Sequence, residues 1–469
     1  MKKNIFFLFL FLSPLVYSQI SAPSIDIYAG ASAGIGDTKP YWNISNQQGY
    51  YTTDPFAGML GFAVEAIDSS DSYIHFDYGI DMYSRFQQNE GLLMQKGYAE
   101  VRIPFLVFWA GKKEEIIGNQ DTSLSIGSTV WSWNARLMPK LVLATPGYVD
   151  IPFTKGYAEI NGSLSHGWFE EDRYVEDVYL HQKHLHLRFG GDFFINGSLG
   201  LIHFAQWAGN SPDTIFGGEL PSDLDAYRRV FFAKKGDSAT VNINEAKNSL
   251  GNHLGSRNYR IDLRAKKFTF SFYYQTVFDD NSGRSKEFHK DGLMGVSVAM
   301  KERNQIVNRV VLEYLKTTYQ SGPVHDLSDS IKLKGNDNYF NNYIYRNGWT
   351  YKGMTLGTPL ITSPIFNENG DASVLNNRVL AFHLGLQGML GKVNYRTFFT
   401  YSINKGTYSN PIDPSKQQFS WYLETMFPSL WKGIDLKVML AADIGQMYGN
   451  NLGVNLLFRK TFNPFPVRK

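Results

Sequence analysis

The chain has 469 residues, a formal charge of +3 and no cysteine. Disulfides, thiolate metal sites and a lipoprotein anchor are thereby excluded, and near-balanced charge without a Lys/Arg run leaves no footing for nucleic acid. Aromatic residues make up 15% of the chain, yet mean hydropathy is -0.27, a pairing that alternating strands produce by setting each apolar side chain between polar ones.

Lys2 and Lys3 precede the apolar run from Ile5 to Val16. Residues 1–18 therefore read as a secretory signal peptide, cleaved near Ser18/Gln19 and too short to serve as a membrane helix. No later stretch approaches ~18 uninterrupted apolar residues, so residues 19–469 can cross a membrane only as strands. Tyr73 to Phe86 alternates without a slip. Ile74, Phe76, Tyr78, Ile80 and Met82 share one face, and His75, Asp77, Asp81 and Tyr83 the other. The same period recurs in "LHQKHLHLRFGG", "NYRIDLRA", "FTFSFYYQTVF", "KVNYRTFFTYSIN" and the last strand, which ends at Phe462. Its aromatic end suits the barrel-assembly machinery.

The polar face separates a soluble sandwich from a membrane barrel. It carries Glu100, Arg102, Arg309, Glu313, Arg396 and Glu424 with both signs interspersed, while the opposite face is bulky and apolar. An apolar exterior around a polar interior is the outer-membrane pattern. Link lengths test this independently. Links after even-numbered strands are brief ("DSSD", "PF", "AKK", "ERNQ", "MLGK"), whereas those after odd strands include 35–55, 111–138, 207–256 and 319–376. Only 145–156 fits weakly. The prediction is an all-β, transmembrane antiparallel barrel of about eighteen strands, with long extracellular loops and short periplasmic turns. Phe76 and Phe270 then face lipid and Asp77 the interior.

Chemistry is less well marked. His184, His186 and Arg188 share a strand face, and two histidines at i and i+2 suit a metal if His203 or His383 supplied a third ligand. A polar interior wall explains them better: with Arg260, Asp262 and Arg264 they are expected to form an interior hydrogen-bonded network. "VFDDNSG" crowds oxygen ligands at Asp279, Asp280 and Asn281 but lacks a full calcium-loop spacing, and reads as a turn. No nucleophile elbow, zinc helix or phosphate loop occurs. No metal, cofactor or catalytic residue is assigned. The long links instead mix aromatics with planar amides: "PYWNISNQQGYY", "STVWSWNARLMP", "QWAGNSP" and "DNYFNNYIYRNGWTYKG". Aromatic faces stack on sugar rings, and Asn, Gln and Arg bond hydroxyls. Trp42, Trp133, Arg136, Trp207, Tyr345 and Trp349 are the candidate glycan contacts.

These stretches, with "SIGSTVWSWNARLMPKL", "HFAQWAGNSP", "NSLGNHLGS", "EYLKTTYQSGP", "GTPLITSP" and "LNNRVLAFHLGLQG", resemble the Wzi capsule-assembly proteins, particularly their Bacteroidetes branch. The resemblance implies an eighteen-stranded outer-membrane barrel that binds surface polysaccharide and helps hold the capsule on the cell. Proteobacterial members carry an N-terminal helical bundle. Here "SIDIYAGASAGIG" reads as a strand or small-residue turn instead. The expectation is a non-enzymatic barrel that helps assemble or retain capsular or surface polysaccharide, with outer-membrane lipid around it. The alternatives are a diffusion or export channel and an outer-membrane hydrolase.

Overall fold

The computed structural model describes residues 23–86, 91–213, 218–236, 249–279, 290–323 and 336–463. The segment read as a signal peptide lies outside them. Eighteen strands close into one antiparallel barrel. The first six are β1 (Ser24–Gly36), β2 (Phe56–Ala66), β3 (His75–Arg85), β4 (Leu92–Ile103), β5 (Leu106–Lys112) and β6 (Lys140–Ala144). Next come β7 (Ala158–Trp168), β8 (Tyr179–Phe189), β9 (Ile195–Trp207), β10 (Asn252–Arg264), β11 (Phe268–Gln275) and β12 (Gly292–Met300). The last are β13 (Arg309–Lys316), β14 (Val379–Leu390), β15 (Val393–Gly406), β16 (Pro411–Trp431), β17 (Ile434–Gly445) and β18 (Asn451–Phe462). Each strand bonds the next, and β18 returns to β1 with Ile25 opposite Phe462 and Gly36 opposite Asn451. Closure leaves no unpaired edge to face lipid.

The period of two sorts side chains between lipid and lumen. Leu199 and Leu201 of β9 are exposed outward, while Ile202, Phe204 and Gln206 are buried inside. Tyr259 and Ile261 of β10 and Phe268 and Phe272 of β11 likewise face out. Within β3, Asp77 is buried, accepts from the Asp68 backbone N–H at 2.7 Å and pairs with Arg102 at 3.3 Å. Exposed Tyr73, Phe105, Phe193, Trp431 and Phe462 gather at the short-link end, as an interfacial aromatic girdle does.

Links obey the predicted parity. Short connections such as 104–105, 265–267, 391–392 and 432–433 follow even strands, and the long ones, 37–55, 113–139, 208–251 and 317–378, follow odd strands. The weak case resolves structurally. Val149–Asp150 continues β6 along β7, with Val149 opposite Ile160, so the true turn is 151–157.

Three long links turn inward and fill the lumen. Link 37–55 enters through a buried 3-10 turn at Tyr41–Asn43. Residues of links 113–139, 169–178 and 317–378 build a core with Ile202, Phe204 and Leu254 of the wall. A glycine makes room for one approach: a Cβ added at Gly385 of β14 would lie 2.8 Å from the Leu124 Cβ. One element was not expected. The link read as a loop at 207–256 contains helix α1 (Leu224–Phe231), capped by Asp223, which accepts from the Ala226 N–H at 2.8 Å.

A charge on the lipid face tests the register. Leu199→Arg places a guanidinium on the outward belt of β9, at a cost of about 2–4 kcal/mol near the midplane. Heat-modifiable gel mobility of membrane fractions is expected to drop sharply, whereas Asp77→Asn, which keeps an acceptor for Asp68, is expected to assemble. Equal assembly of both variants would overturn the facing assigned here.

Candidate functional site

The inserted links are held by side chains of the wall and of link 169–178. His383 of β14 donates from Nε2 to the Leu124 carbonyl at 2.8 Å, because a carbonyl can only accept. Its Nδ1 is then left to accept from Thr400 Oγ1 at 2.8 Å, and Thr400 accepts from Trp42 Nε1 at 3.2 Å. One directed chain thus joins link 37–55 to link 113–139 through β15 and β14. Glu313 of β13 accepts from the Ile126 N–H at 2.8 Å and from Tyr273 Oη at 2.6 Å. Arg309 meets Asp121 at 3.0 Å. Link 317–378 is fixed by Arg173, which donates to the carbonyls of Gly348 and Thr350 at 2.8 Å each, and by Gln206, which reaches Gly348 O at 2.7 Å.

Asp121 lies on link 113–139, outside the spanning strands. Burial alone would raise its carboxyl. The Arg309 guanidinium and the Ser123 and Leu124 N–H groups outweigh that and hold it below the usual carboxylate range. A depressed folded value stabilises the inserted state above the unfolded value. That contribution is lost as pH falls through the folded value, so the contact is complete at neutral pH.

The expected interior network divides into separate groups. His184, His186 and Arg188 of β8 do face inward, as do Arg260, Asp262 and Arg264 of β10. Both ring nitrogens of His184 are engaged within the wall, Nδ1 by Ser163 and Nε2 by Asn161, each at 2.9 Å. Arg188 pairs with Glu159. Arg260 bonds Asp262, Ser271 and the Asn119 carbonyl, each at 2.8 Å, while Arg264 caps the Gly191 carbonyl at 2.9 Å. The hydrogen bonds run within each group, and charge links the groups: Arg188 also feels Asp262, and Glu159 also feels Arg264. His203 and His383 do not join His184: His203 sits 2.9 Å from His253, and His383 bonds as above. Among the described residues no group of three ligands is placed to hold a metal. Asp280–Gly283 of "VFDDNSG" falls outside those residues.

The six candidate glycan contacts do not converge. Trp42 is packed among Tyr41, His383 and Phe398. Trp349 lies between Phe169 and Phe204, and Tyr345 donates to the Ala208 carbonyl at 3.2 Å. Trp207 packs on the outer wall against Tyr179 and Tyr227. All four are buried, which leaves no ring face for a sugar in this conformation. Trp42, Tyr345 and Trp349 pack because their links fold into the barrel instead of standing above it, and Trp207 because α1 folds onto the outer wall. Trp133 differs: it is 36% exposed. Arg136, in the same link, is half-buried and donates to the Met94 carbonyl at 3.3 Å.

Trp133 borders a cavity of about 300 Å³, at the lower end of small-ligand sites. The cavity runs from Ser24, the first residue of β1, up to the inserted links. Tyr50, Gln47 and Gln48 of link 37–55 line it beside Trp133, with Arg396 and Lys96 on the wall. Asp81 fixes two of the rings, accepting from Tyr28 Oη at 2.5 Å and Tyr50 Oη at 2.8 Å. Gln48 donates from its backbone N–H to the Trp133 carbonyl at 2.7 Å, which locks the two links together at the site. Sequence reasoning passed over Tyr50, Gln47 and Gln48, although their stretch was singled out. Their signal was the run of amides after Trp42, not the tryptophan itself.

Comparison with known proteins gives one family and a set of barrels. A family model described as capsule assembly protein Wzi matches residues 38–362. No curated protein matches. A solved Escherichia coli structure, described as Wzi, an outer-membrane protein involved in group 1 capsule assembly and a carbohydrate-binding β-barrel, aligns with TM-score 0.60 at 11% identity. It covers 95% of this chain and 85% of that one. Pseudomonas aeruginosa OccK3 (OpdO) aligns with TM-score 0.48 at 10% identity, covering 96% and 97%. Acinetobacter baumannii OccAB4 aligns with TM-score 0.47 at 8% identity, covering 95% and 99%.

The inserted link can be unpinned. Glu313→Ala leaves the Ile126 N–H and the Tyr273 hydroxyl without their buried acceptor, at about 1–3 kcal/mol for each unsatisfied group. Planar-bilayer conductance is expected to rise and link 113–139 to become protease-sensitive, with barrel mobility unchanged. A wild-type protein that already conducts like a general porin would contradict the filled lumen.

Proposed function

The chain belongs to the capsule assembly protein Wzi family, and from that premise we propose that it is an outer-membrane barrel that binds capsular or surface polysaccharide without transforming it. The long-link end faces outward in this reading, as in outer-membrane barrels generally. The quoted sequence stretches favour the Bacteroidetes branch. The observation that carries the binding reading is the cavity beside Trp133. It combines what a saccharide requires: an accessible indole face, the planar amides of Gln47 and Gln48, and tyrosines and charges held in fixed positions. Arg136, in the same link, is not among the residues that line the cavity. The lumen around the cavity is occupied by links 37–55, 113–139 and 317–378, which speaks against a diffusion channel.

The cavity's position refines the role. It reaches the rim at Ser24, where the first strand begins, the last strand ends and the short turns lie. The polymer would therefore be engaged from the inner mouth, as part of its assembly or retention, and not by aromatics waving above the membrane.

Trp133→Ala is expected to weaken binding of purified capsular oligosaccharide by about fivefold, the equivalent of ~1 kcal/mol for one stacking contact. Tryptophan fluorescence titration and isothermal calorimetry would measure it, with capsule release into the medium scored in cells. Trp349→Phe serves as the control, since that ring is packed in the plug. If Trp133→Ala binds as tightly as the wild type in an assembled barrel, the cavity is not the sugar site.

A further inference from the structure

Among the described residues, α1 lies on the opposite side of the wall from the plug. His203, Ala205 and Trp207 share the outward face of β9 with the exposed Leu199 and Leu201, because Ile202, Phe204 and Gln206 alternate inward. Ala226 and Val230 of α1 bury against Ala205, Trp207 and Leu250. Tyr227 lies 5.5 Å from Trp207, and Phe231 lies 5.3 Å from His181 of β8. Lys183, also outward on β8, reaches the Phe231 carbonyl and stacks on that ring at 3.7 Å. The helix is clamped to the barrel's outer surface.

Its height follows from strand geometry. At ~3.3 Å per residue and a tilt of ~40°, His203 stands ~20 Å above Ile195 and Trp207 ~30 Å above it. An outer-membrane apolar band is ~25 Å tall. α1 therefore straddles the band's edge at the long-link end, where headgroups begin.

The exposed side of α1 and of the turn after it (232–235) has the matching chemistry. Leu224 is 75% and Phe232 is 63% exposed, an arrangement a soluble surface disfavours. Arg228, Lys234 and Lys235 are exposed beside them. Of the nearby acids, Asp223 is used as the helix cap and Asp225 is held by Arg229 at 2.6 Å. Apolar and basic side chains on an interfacial helix and the turn that follows it suit a lipid whose acyl chains and anionic headgroup meet at that level.

We propose that α1 and the wall beneath it bind the phosphate-bearing headgroup of an outer-leaflet glycolipid. Leu224 and Phe232 seat among its acyl chains, and Arg228, Lys234 and Lys235 bond its phosphates. This placement rests on the outward orientation of the long-link end.

The test uses the full-length protein in detergent, with bisphosphorylated lipid A and the same lipid stripped of phosphate as probes, read by native mass spectrometry. The wild type is expected to retain the phosphorylated lipid about tenfold better. Arg228→Glu/Lys234→Glu/Lys235→Glu is expected to abolish that preference while keeping heat-modifiable mobility. Gln at the same three positions is the second variant if Glu impairs assembly. Leu224→Ala/Phe232→Ala is expected to weaken both lipids alike. A wild type indifferent to phosphate, competition by millimolar inorganic phosphate alone, or a triple variant that keeps the preference would overturn the proposal. Orientation is read separately: Arg228→Cys in this cysteine-free chain is labelled on intact cells by an impermeant maleimide, and absence of labelling would sink the orientation without touching the lipid result.

Discussion

A strand in hydrocarbon has no water to bond its amides, so the pairing of β18 back onto β1 is the constraint on which the rest of the molecule depends. Closing eighteen strands satisfies every interior ladder but encloses a lumen too wide for wall side chains to fill. Something else must occupy it or water will. Here the chain supplies its own filling, and the long links bring buried backbone that also needs partners. The lumen face is polar for that reason: Glu313, His383 and Gln206 answer amides and carbonyls of the inserted links, joined by Arg173 of link 169–178.

That arrangement explains why mixed charge does not imply conduction. Arg309 with Asp121, Arg396 with Glu424 and Arg260 with Asp262 are matched at 3.0, 2.9 and 2.8 Å. A buried charge is tolerated when paired and hydrogen-bonded, and each of these arginines also bonds a group of link 113–139. The ion pairs therefore position the link as much as they neutralise the wall. Where the links stop short of the wall, between Ser24 and Trp133, Arg396 alone of these three arginines also borders the cavity proposed for the sugar.

Much of the barrel was legible because a period of two is a local property. Leu185 outward and His186 inward follow from their neighbours alone, and link parity follows from counting. The site was legible only in part. Trp42, Tyr345 and Trp349 look like binding aromatics in a polar link, and nothing local says that Thr400, Ala208 or Phe204 will receive them. Their partners lie 358, 137 and 145 positions away respectively, the first two as hydrogen bonds and the last by residue number. Helix α1 did carry a local signal. "PSDLDAYRRVF" offers an Asp cap ahead of an amphipathic turn, which the surrounding strand pattern obscured.

The wall thus separates two surfaces with different demands. Inside, aromatic rings and amides are fixed by ion pairs and hydrogen bonds, a rigidity that would lower the entropy cost of holding the polymer proposed above. Outside, α1 rests on a strip of β8 and β9 whose polar residues, His181, Lys183 and His203, would face lipid if the helix were absent. Covering that strip satisfies Lys183 through the Phe231 carbonyl. Such a side chain is costly in hydrocarbon and tolerable at its edge. The helix is therefore part of how these two strands end at the membrane boundary.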